Sequence, residues 1–290
     1  MKHAVLIALL VLCAAAALFA PGFLTVGNLT TILLHVSVNA ILALGMTFVI
    51  VTGGIDLSVG SLVALAGVLA AAALTASGTL GAIGVPGATI LAIVVGLGTG
   101  VALGMGNGAV TAYGRIAPFV VTLATMTIAR GAARLVTGGV PIGYPPAGDP
   151  LFAQKAAALD ALHAIGGGRI PVPGLARGFP MPTLIMLVLV AAGAFVLTRT
   201  RFGRYVYAIG GNEEAARLSG VPVRRVKLGA YAISGFCAGL AGVLLVGQLR
   251  SGGPDAGQLY ELNAIAAAVI GGASLLGGVG TAWGDRKSVV

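Results

Sequence analysis

Gly45-Met-Thr-Phe-Val-Ile-Val-Thr-Gly-Gly-Ile-Asp-Leu-Ser-Val-Gly60 sets a single carboxylate, Asp56, among glycines and small polar residues between two long apolar runs. An ionised side chain at the centre of a bilayer costs about 2.5–3.5 kcal/mol on insertion scales, so such a group is kept out of lipid, against protein, water or a solute. Glycine lets backbone leave the helical path and approach a solute closely. Non-helical backbone at membrane depth is tolerated only where protein buries it or where it lines water. Two roles follow for Thr52, Gly53, Gly54, Asp56 and Ser58. They form the wall of a path through the membrane, or they form a turn in which Asp56 or Ser58 caps the next helix. Simple alternation of the spans puts this stretch at the end nearest the cytoplasm, which favours the cap.

The remainder of the chain supports a membrane protein. Apolar residues make up 58% of the 290 residues and charged ones 9%, against about 25% charged in soluble domains. Mean hydropathy is +1.03. A soluble domain of this size could not cover itself with so few charges. The formal charge of +9 does not indicate nucleic acid, because seven of the 17 Lys and Arg fall between Arg199 and Lys227. That concentration marks a cytoplasmic loop by the positive-inside rule. Cys13 and Cys237 lie inside apolar runs and suit packing, and His3, His35 and His163 have no ligand spacing, so neither a disulfide nor a metal site is expected.

The expected fold is an all-α polytopic transmembrane bundle of about eight apolar segments, with broken or re-entrant glycine-rich stretches. The segments are 4–20, 32–52, 57–76, 88–105, 118–136, 182–197, 228–247 and 264–276, most near the ~20 residues a helix needs to cross. The first follows Lys2 and His3 and reads as an uncleaved span in preference to a signal peptide. A cytoplasmic N-terminus makes the loop at Arg115 internal, 141–181 external and 199–227 internal, and the basic residues agree with that parity. Gly96, Gly100 and Gly104 form one small-residue face, and Gly235 and Gly239 another; such faces allow helices to approach closely. Gly53-Gly54-Ile55-Asp56-Leu57 has a weak echo in Gly271-Gly272-Ala273-Ser274-Leu275, a pairing that can mark a repeat interface. Residues 1–284 are expected to form one transmembrane domain and 285–290 a truncated or foreign tail.

Further constellations stand out. Arg130 and Arg134, four apart, either bind an anionic solute or snorkel and pair with a neighbouring helix. In the basic loop, Asn212 suits an N-cap, Glu213 and Glu214 favour the positive end of a helix dipole, and Gly220 with Pro222 provide a stop. A short helix over 213–219 is expected there, either a solvated connector or a docking helix. No Gly-x-x-x-x-Gly-Lys-[Ser/Thr] occurs to cradle a nucleotide. Asp56 is the only acidic residue near a span interior, which argues against ion-coupled transport. No nucleophile and base are paired for hydrolysis.

Three blocks together resemble the membrane permease subunit of bacterial ATP-binding-cassette importers for monosaccharides of the ribose/xylose/arabinose/galactose type. They are the stretch from Ala43 to Ser61, Pro118-Phe-Val-Val-Thr-Leu-Ala-Thr-Met-Thr-Ile-Ala-Arg-Gly131, and the loop from Gly203 to Gly220 running on into Glu261–Gly272. The resemblance implies a translocation path touching Thr52, Gly53, Gly54, Asp56, Ser58, Phe119 and Thr122. It also implies an ATPase-coupling loop containing Arg204, Gly211, Asn212, Glu213, Glu214, Ala215, Ala216, Arg217 and Gly220. It implies a second permease subunit, a cytoplasmic ATPase that holds the ATP and Mg, a periplasmic or lipid-anchored sugar-binding protein, and a place in the bacterial inner membrane. No cofactor or catalytic residue is expected in this chain. A further apolar region is expected after Gly284. Other solutes of such permeases (a nucleoside, a quorum-signal sugar, a branched-chain amino acid) remain open, as does an ion-coupled carrier or an inactive scaffold.

Overall fold

The computed structural model describes residues 2–173 and 175–280, so the tail at 285–290 lies outside the described residues. The elements run α1 (Lys2–Phe19), α2 (Val26–Val51), α3 (Val59–Thr75), α4 (Ser77–Gly114), α5 (Pro118–Thr137), α6 (Phe152–Gly166), β1 (Arg169–Val172), β2 (Leu175–Pro180), α7 (Met181–Arg199), α8 (Arg201–Gly211), α9 (Glu213–Leu218), α10 (Val223–Leu249) and α11 (Tyr260–Ile270). Helices dominate because lipid offers no partner for backbone N–H and C=O groups, so each span must satisfy its own.

Local chemistry sets the helix ends. Thr25 caps α2, accepting from Asn28 N at 3.3 Å. Pro118 opens α5, and Gly138, at φ 60°, closes it in the left-handed conformation. α4 was expected over 88–105 but extends from Ser77 to Gly114, with a break at Gly84 (φ 64°) just before Pro86. The proline removes a donor and forbids a straight helix through that point. The expected external loop 141–181 holds α6 and an antiparallel β1–β2 hairpin pairing Arg169 with Pro180, so the all-helical expectation is modified by two short strands. The expected basic loop is itself mostly helical. Thr200 caps α8 by accepting from Gly203 N, and Val206 and Ile209 bury its inner face.

Among the described residues five helices are long and apolar enough to cross a membrane: α2, α4, α5, α7 and α10. Their burial sorts them into layers. α2 and α10 are 67% buried over their most apolar stretches, whereas α4, α5 and α7 are 22–28% buried. The shorter α3 joins α2 and α10 at the centre, where Phe48, Ile41, Leu42, Met46, Leu62 and Tyr231 are wholly enclosed. The two glycine faces pack on each other. Gly100 faces Gly235 and Gly239, and Gly104 faces Tyr231 and Gly235, so α4 and α10 run antiparallel at backbone contact. The side chains of α1 from Ile7 onward are mostly exposed, with Phe19 85% so.

Candidate functional site

The helix α2 stops because its backbone turns left-handed at Gly53 (φ +78°). Thr52 Oγ1 donates to Val49 O at 2.7 Å, and Gly54 N donates to the same carbonyl at 3.0 Å. A Cβ on Gly53 would meet nothing within 4 Å, so the glycine is required for its dihedral and not for space. At Gly54 the requirement is space, because a Cβ there would lie 2.7 Å from the Tyr231 hydroxyl. The break then reaches Asp56, which has no exposed surface.

Asp56 is fully partnered. Its Oδ1 accepts from Ser58 N at 3.0 Å and Ser58 Oγ at 2.6 Å, and its Oδ2 accepts from Ser234 Oγ of α10 at 2.8 Å. Ser58 Oγ in turn accepts from Asn107 Nδ2 of α4 at 2.9 Å, and Asn107 Oδ1 accepts from Thr125 Oγ1 of α5 at 2.6 Å. Every donor is used once in one direction, so α10, the break, α4 and α5 are tied by a single polar chain. Charge-assisted bonds of this kind are the stronger ones, and a satisfied buried network rigidifies what it joins.

Depth follows from register. Ser234 lies eleven residues into α10 from Val223, about 16 Å along its axis. The break is therefore held inside the bundle, on one side by α10 about 16 Å from its first residue and on the other by Gly210 at the end of α8. Of the seven candidate path residues, Thr52, Gly54, Asp56, Ser58 and Thr122 are buried within the subunit, while Gly53 and Phe119 reach its surface. Thr122 Oγ1 donates to Pro118 O at 2.9 Å within its own helix and is 3.4 Å from Ile55 O. Sequence reasoning missed Asn107, Thr125 and Ser234. Asn107 carried a usable signal, an amide seven residues before the end of the long, mostly small and apolar run of α4.

Replacing Asp56 with Ala strands one backbone N–H and two hydroxyls inside the bundle. Each buried unsatisfied group costs about 1–3 kcal/mol. Thermal unfolding in detergent is expected to show a loss of about 3 kcal/mol or more for Asp56→Ala and a smaller loss for Asp56→Asn, which retains one acceptor. Unchanged melting of Asp56→Ala would remove the network from the list of things that hold the break.

The second candidate region lies at the basic end. Asn212 Oδ1 accepts from Ala215 N at 2.9 Å, so the expected cap is formed, and the helix runs Glu213–Leu218. Glu213 pairs with Lys227 at 2.6 Å and Glu214 with Arg217 at 2.5 Å. The Glu214 bond holds the Arg217 guanidinium above its ordinary pKa. Ala216 is buried in a cluster with Leu197, Val206, Val223 and Val226, which fixes α9 on the bundle. Gly220 (φ +82°) turns the chain toward α10, and Arg204 and Gly211 are exposed. A cleft of about 790 Å³ lies between α9 and the α4–α5 turn, lined by Thr111, Arg115, Glu213, Arg217, Arg224 and Lys227 among others. The Arg224 guanidinium stands 5.4 Å from the Tyr113 ring centroid.

The chain after α11 reaches the α2 break through Gly277 and Gly278, beyond the expected 271–275 echo. Gly278 N donates to Val51 O at 3.0 Å, and the Gly277 backbone lies against Gly53 and Gly210. The α2 break, the end of α8 and the stretch after α11 thus share one tight junction. Among the described residues no group of three His, Cys, Asp or Glu converges to hold a metal ion.

A multi-pass helical bundle with a tethered polar break and a capped helix at its basic end suits a membrane permease, the class to which its family belongs. Residues 28–282 match the family described as branched-chain amino acid transport system / permease component, and the chain belongs to that family. It is 43% identical over 280 residues to the ribose import permease protein RbsC of Escherichia coli (strain K12), covering 97% of this chain and 80% of that protein. It is 40% identical to RbsC of Bacillus subtilis (strain 168) over 270 residues, covering 93% and 76%. Xylose transport system permease protein XylH of Escherichia coli (strain K12) is 36% identical over 305 residues, covering 91% and 76%. No solved structure matches the chain.

Proposed function

We propose that the chain is the permease subunit of an ATP-driven importer and forms the translocation path for a monosaccharide. The observation that carries this is the double attachment of α10. Its first turns are bound to α9 by Lys227–Glu213, and seven residues further, on the same face of the helix, Ser234 holds Asp56. A displacement of α9 is therefore delivered along one rigid helix to the break between α2 and α3. The Gly210–Gly278–Val51 junction offers a parallel connection from α8.

The residues support a division of labour in which chemistry lies elsewhere. A cytoplasmic ATPase binds ATP and Mg, docks on α9 and the basic cleft, and draws two permease subunits through alternating access. The second subunit completes the pore, and a periplasmic or lipid-anchored binding protein delivers solute. On this reading the chain lies in the bacterial inner membrane, surrounded by lipid, and the basic residues of 199–227 support an N-terminus in the cytoplasm. The sugar assignment rests on the ribose and xylose permeases among its relatives. A nucleoside, a quorum-signal sugar or a branched-chain amino acid is the alternative, the last in keeping with the family description.

The test is restoration of uptake. A bacterial strain lacking its own ribose and xylose permeases is given this protein with its cognate ATPase and binding protein. Regained accumulation of labelled pentose is expected. Accumulation of leucine with none of pentose would replace the sugar by an amino acid.

A further inference from the structure

The cleft at the basic end carries more positive charge than its own carboxylates meet. Arg115, Arg217, Arg224, Arg225 and Lys227 line it against Glu213 alone. Lys227 is taken by Glu213 and Arg217 by Glu214. The Arg224 guanidinium stands over the Tyr113 ring. Among the described residues Arg115 and Arg225 have neither an acidic nor a hydrogen-bonding partner. The two arginines of α5 differ in this respect. Arg130 Nη1 donates to Pro254 O and Ala256 O, both at 2.8 Å, and Arg134 pairs with Asp255. Arg115 also holds a left-handed backbone (φ 55°) at the end of α4, where glycine is the usual residue.

Uncharged donors converge on the same place. The cleft is lined by Ala117 and Pro118 at the start of α5 and by Pro222 and Val223 at the start of α10. Neither helix has a side-chain cap, so the positive ends of two long helix dipoles are left for an outside acceptor. Thr111 adds a hydroxyl. It is 6% exposed, and its buried Oγ1 has no hydrogen-bond partner among the described residues. Other threonines of α4 satisfy themselves: Thr89 Oγ1 donates to Val85 O at 2.9 Å, and Thr99 Oγ1 to Val95 O at 2.7 Å. Thr111 does not make that bond, which leaves its hydroxyl for a group held in the cleft it lines. The turn itself joins α4 and α5, two of the helices able to cross a membrane, each only 22% buried over its most apolar stretch. It therefore lies at the level of lipid headgroups, with Tyr113 and Ile116 exposed beside the cleft.

We infer that this cleft is a binding site for a phosphate group. Arg115 and Arg225 supply the charge, and the starts of α5 and α10 together with Thr111 Oγ1 supply neutral donors to the phosphoryl oxygens. A tetrahedral phosphate offers acceptors in several directions at once, which matches donors arriving from α4, α5 and α10. The cleft, at about 790 Å³, is larger than the phosphate itself requires and has room for what the phosphate is attached to. Two sources carry this chemistry. One is the headgroup of an anionic phospholipid, whose chains would run along the exposed Tyr113 and Ile116. The other is a soluble phosphate. The site is separate from the Asp56 network and needs neither solute nor nucleotide.

The experiment uses the full chain purified in detergent, without nucleotide or sugar. Native mass spectrometry counts the phospholipid retained after exposure to equal amounts of phosphatidylglycerol and phosphatidylcholine. Melting is followed separately in inorganic phosphate and in chloride at one ionic strength. Preferential retention of phosphatidylglycerol assigns the site to lipid. A melting temperature raised by phosphate, without that preference, assigns it to a soluble phosphate. In either arm the double variant Arg115→Gln, Arg225→Gln is expected to weaken binding about 30-fold. Arg199→Gln with Arg201→Gln removes the same charge outside the cleft and should bind as the parent does. Thr111→Val should weaken binding about 5-fold, while the unliganded variant melts no lower than the parent, because it loses an unpaired buried hydroxyl. A threonine with a merely structural role would move the melting and not the binding. Equal effects of the two double variants would overturn the site, as would a parent that binds neither probe. If neither probe binds and association with the ATPase falls in the Arg115–Arg225 variant, the occupant is a protein carboxylate and the phosphate assignment is wrong.

Discussion

Reversing Glu213 and Glu214 together to Arg is expected to abolish coupled uptake, by at least roughly 30-fold, while membrane insertion and yield stay at parental levels. Glu213 is the only side chain joining α9 to the base of α10 by an ion pair among the described residues, and Glu214 holds Arg217. The double variant breaks both pairs. It also sets two new cations at a helix N-terminus, where the dipole already repels positive charge, beside Arg217, Arg224 and Lys227 in the basic cleft. The bundle itself should survive, because Ala216 still anchors α9 in its apolar cluster. The measurement is uptake and ATP hydrolysis by the same reconstituted assembly. Hydrolysis that continues, or is lost, while uptake falls identifies broken coupling or broken docking respectively. Uptake at the parental level would take α9 out of the coupling route.

The second large effect concerns stability. Gly100→Leu is expected to prevent the bundle from closing. A Cβ at Gly100 would meet the Gly235 carbonyl oxygen and would lie 2.7 and 2.8 Å from the Gly239 backbone. Those obstacles are main chain and cannot swing aside, so the cost should exceed the 1–3 kcal/mol typical of overpacked cores. The control sits two residues away. A Cβ at Gly98 would meet nothing within 4 Å, and Gly→Ala in a helix interior is favourable by about 1 kcal/mol where space allows. Gly98→Ala should therefore melt at or above the parental temperature in detergent, while Gly100→Leu should yield little folded protein. Equal melting of the two variants would mean that α4 and α10 do not touch at their glycines.

Much of this was open to reading from the residues alone, and the reasons differ by element. The apolar helices were legible because lipid imposes one hydropathy rule along their length, although of the eight expected segments five are, among the described residues, helices long and apolar enough to cross. The α9 cap was legible because Asn212, Glu213 and Glu214 act on backbone within one turn. The glycine faces of α4 and α10 were visible separately, but nothing in either stretch says that they face each other. The Asp56 network was half legible. The carboxylate declared itself, whereas Ser234 lies far along the chain with nothing local to mark it, and the amide of Asn107 showed only that something polar sat in α4, not that it reached Ser58. Helix α8 was missed because its sequence is polar enough to read as loop; only the burial of Val206 and Ile209 shows why it is helical. Arg130 and Arg134 were correctly seen as a pair of arginines four apart. Their partner, the segment at 254–256, was hidden because no rule of local sequence brings α5 beside it.

A permease that draws its power from another subunit should move solute only when that subunit hydrolyses ATP. The direct measurement is pentose accumulation in proteoliposomes holding this chain, its ATPase and its binding protein, with ATP and with an imposed proton or sodium gradient in separate arms. Accumulation with ATP alone, and none with either gradient, is the predicted result. Accumulation driven by a gradient in the absence of ATP would contradict it.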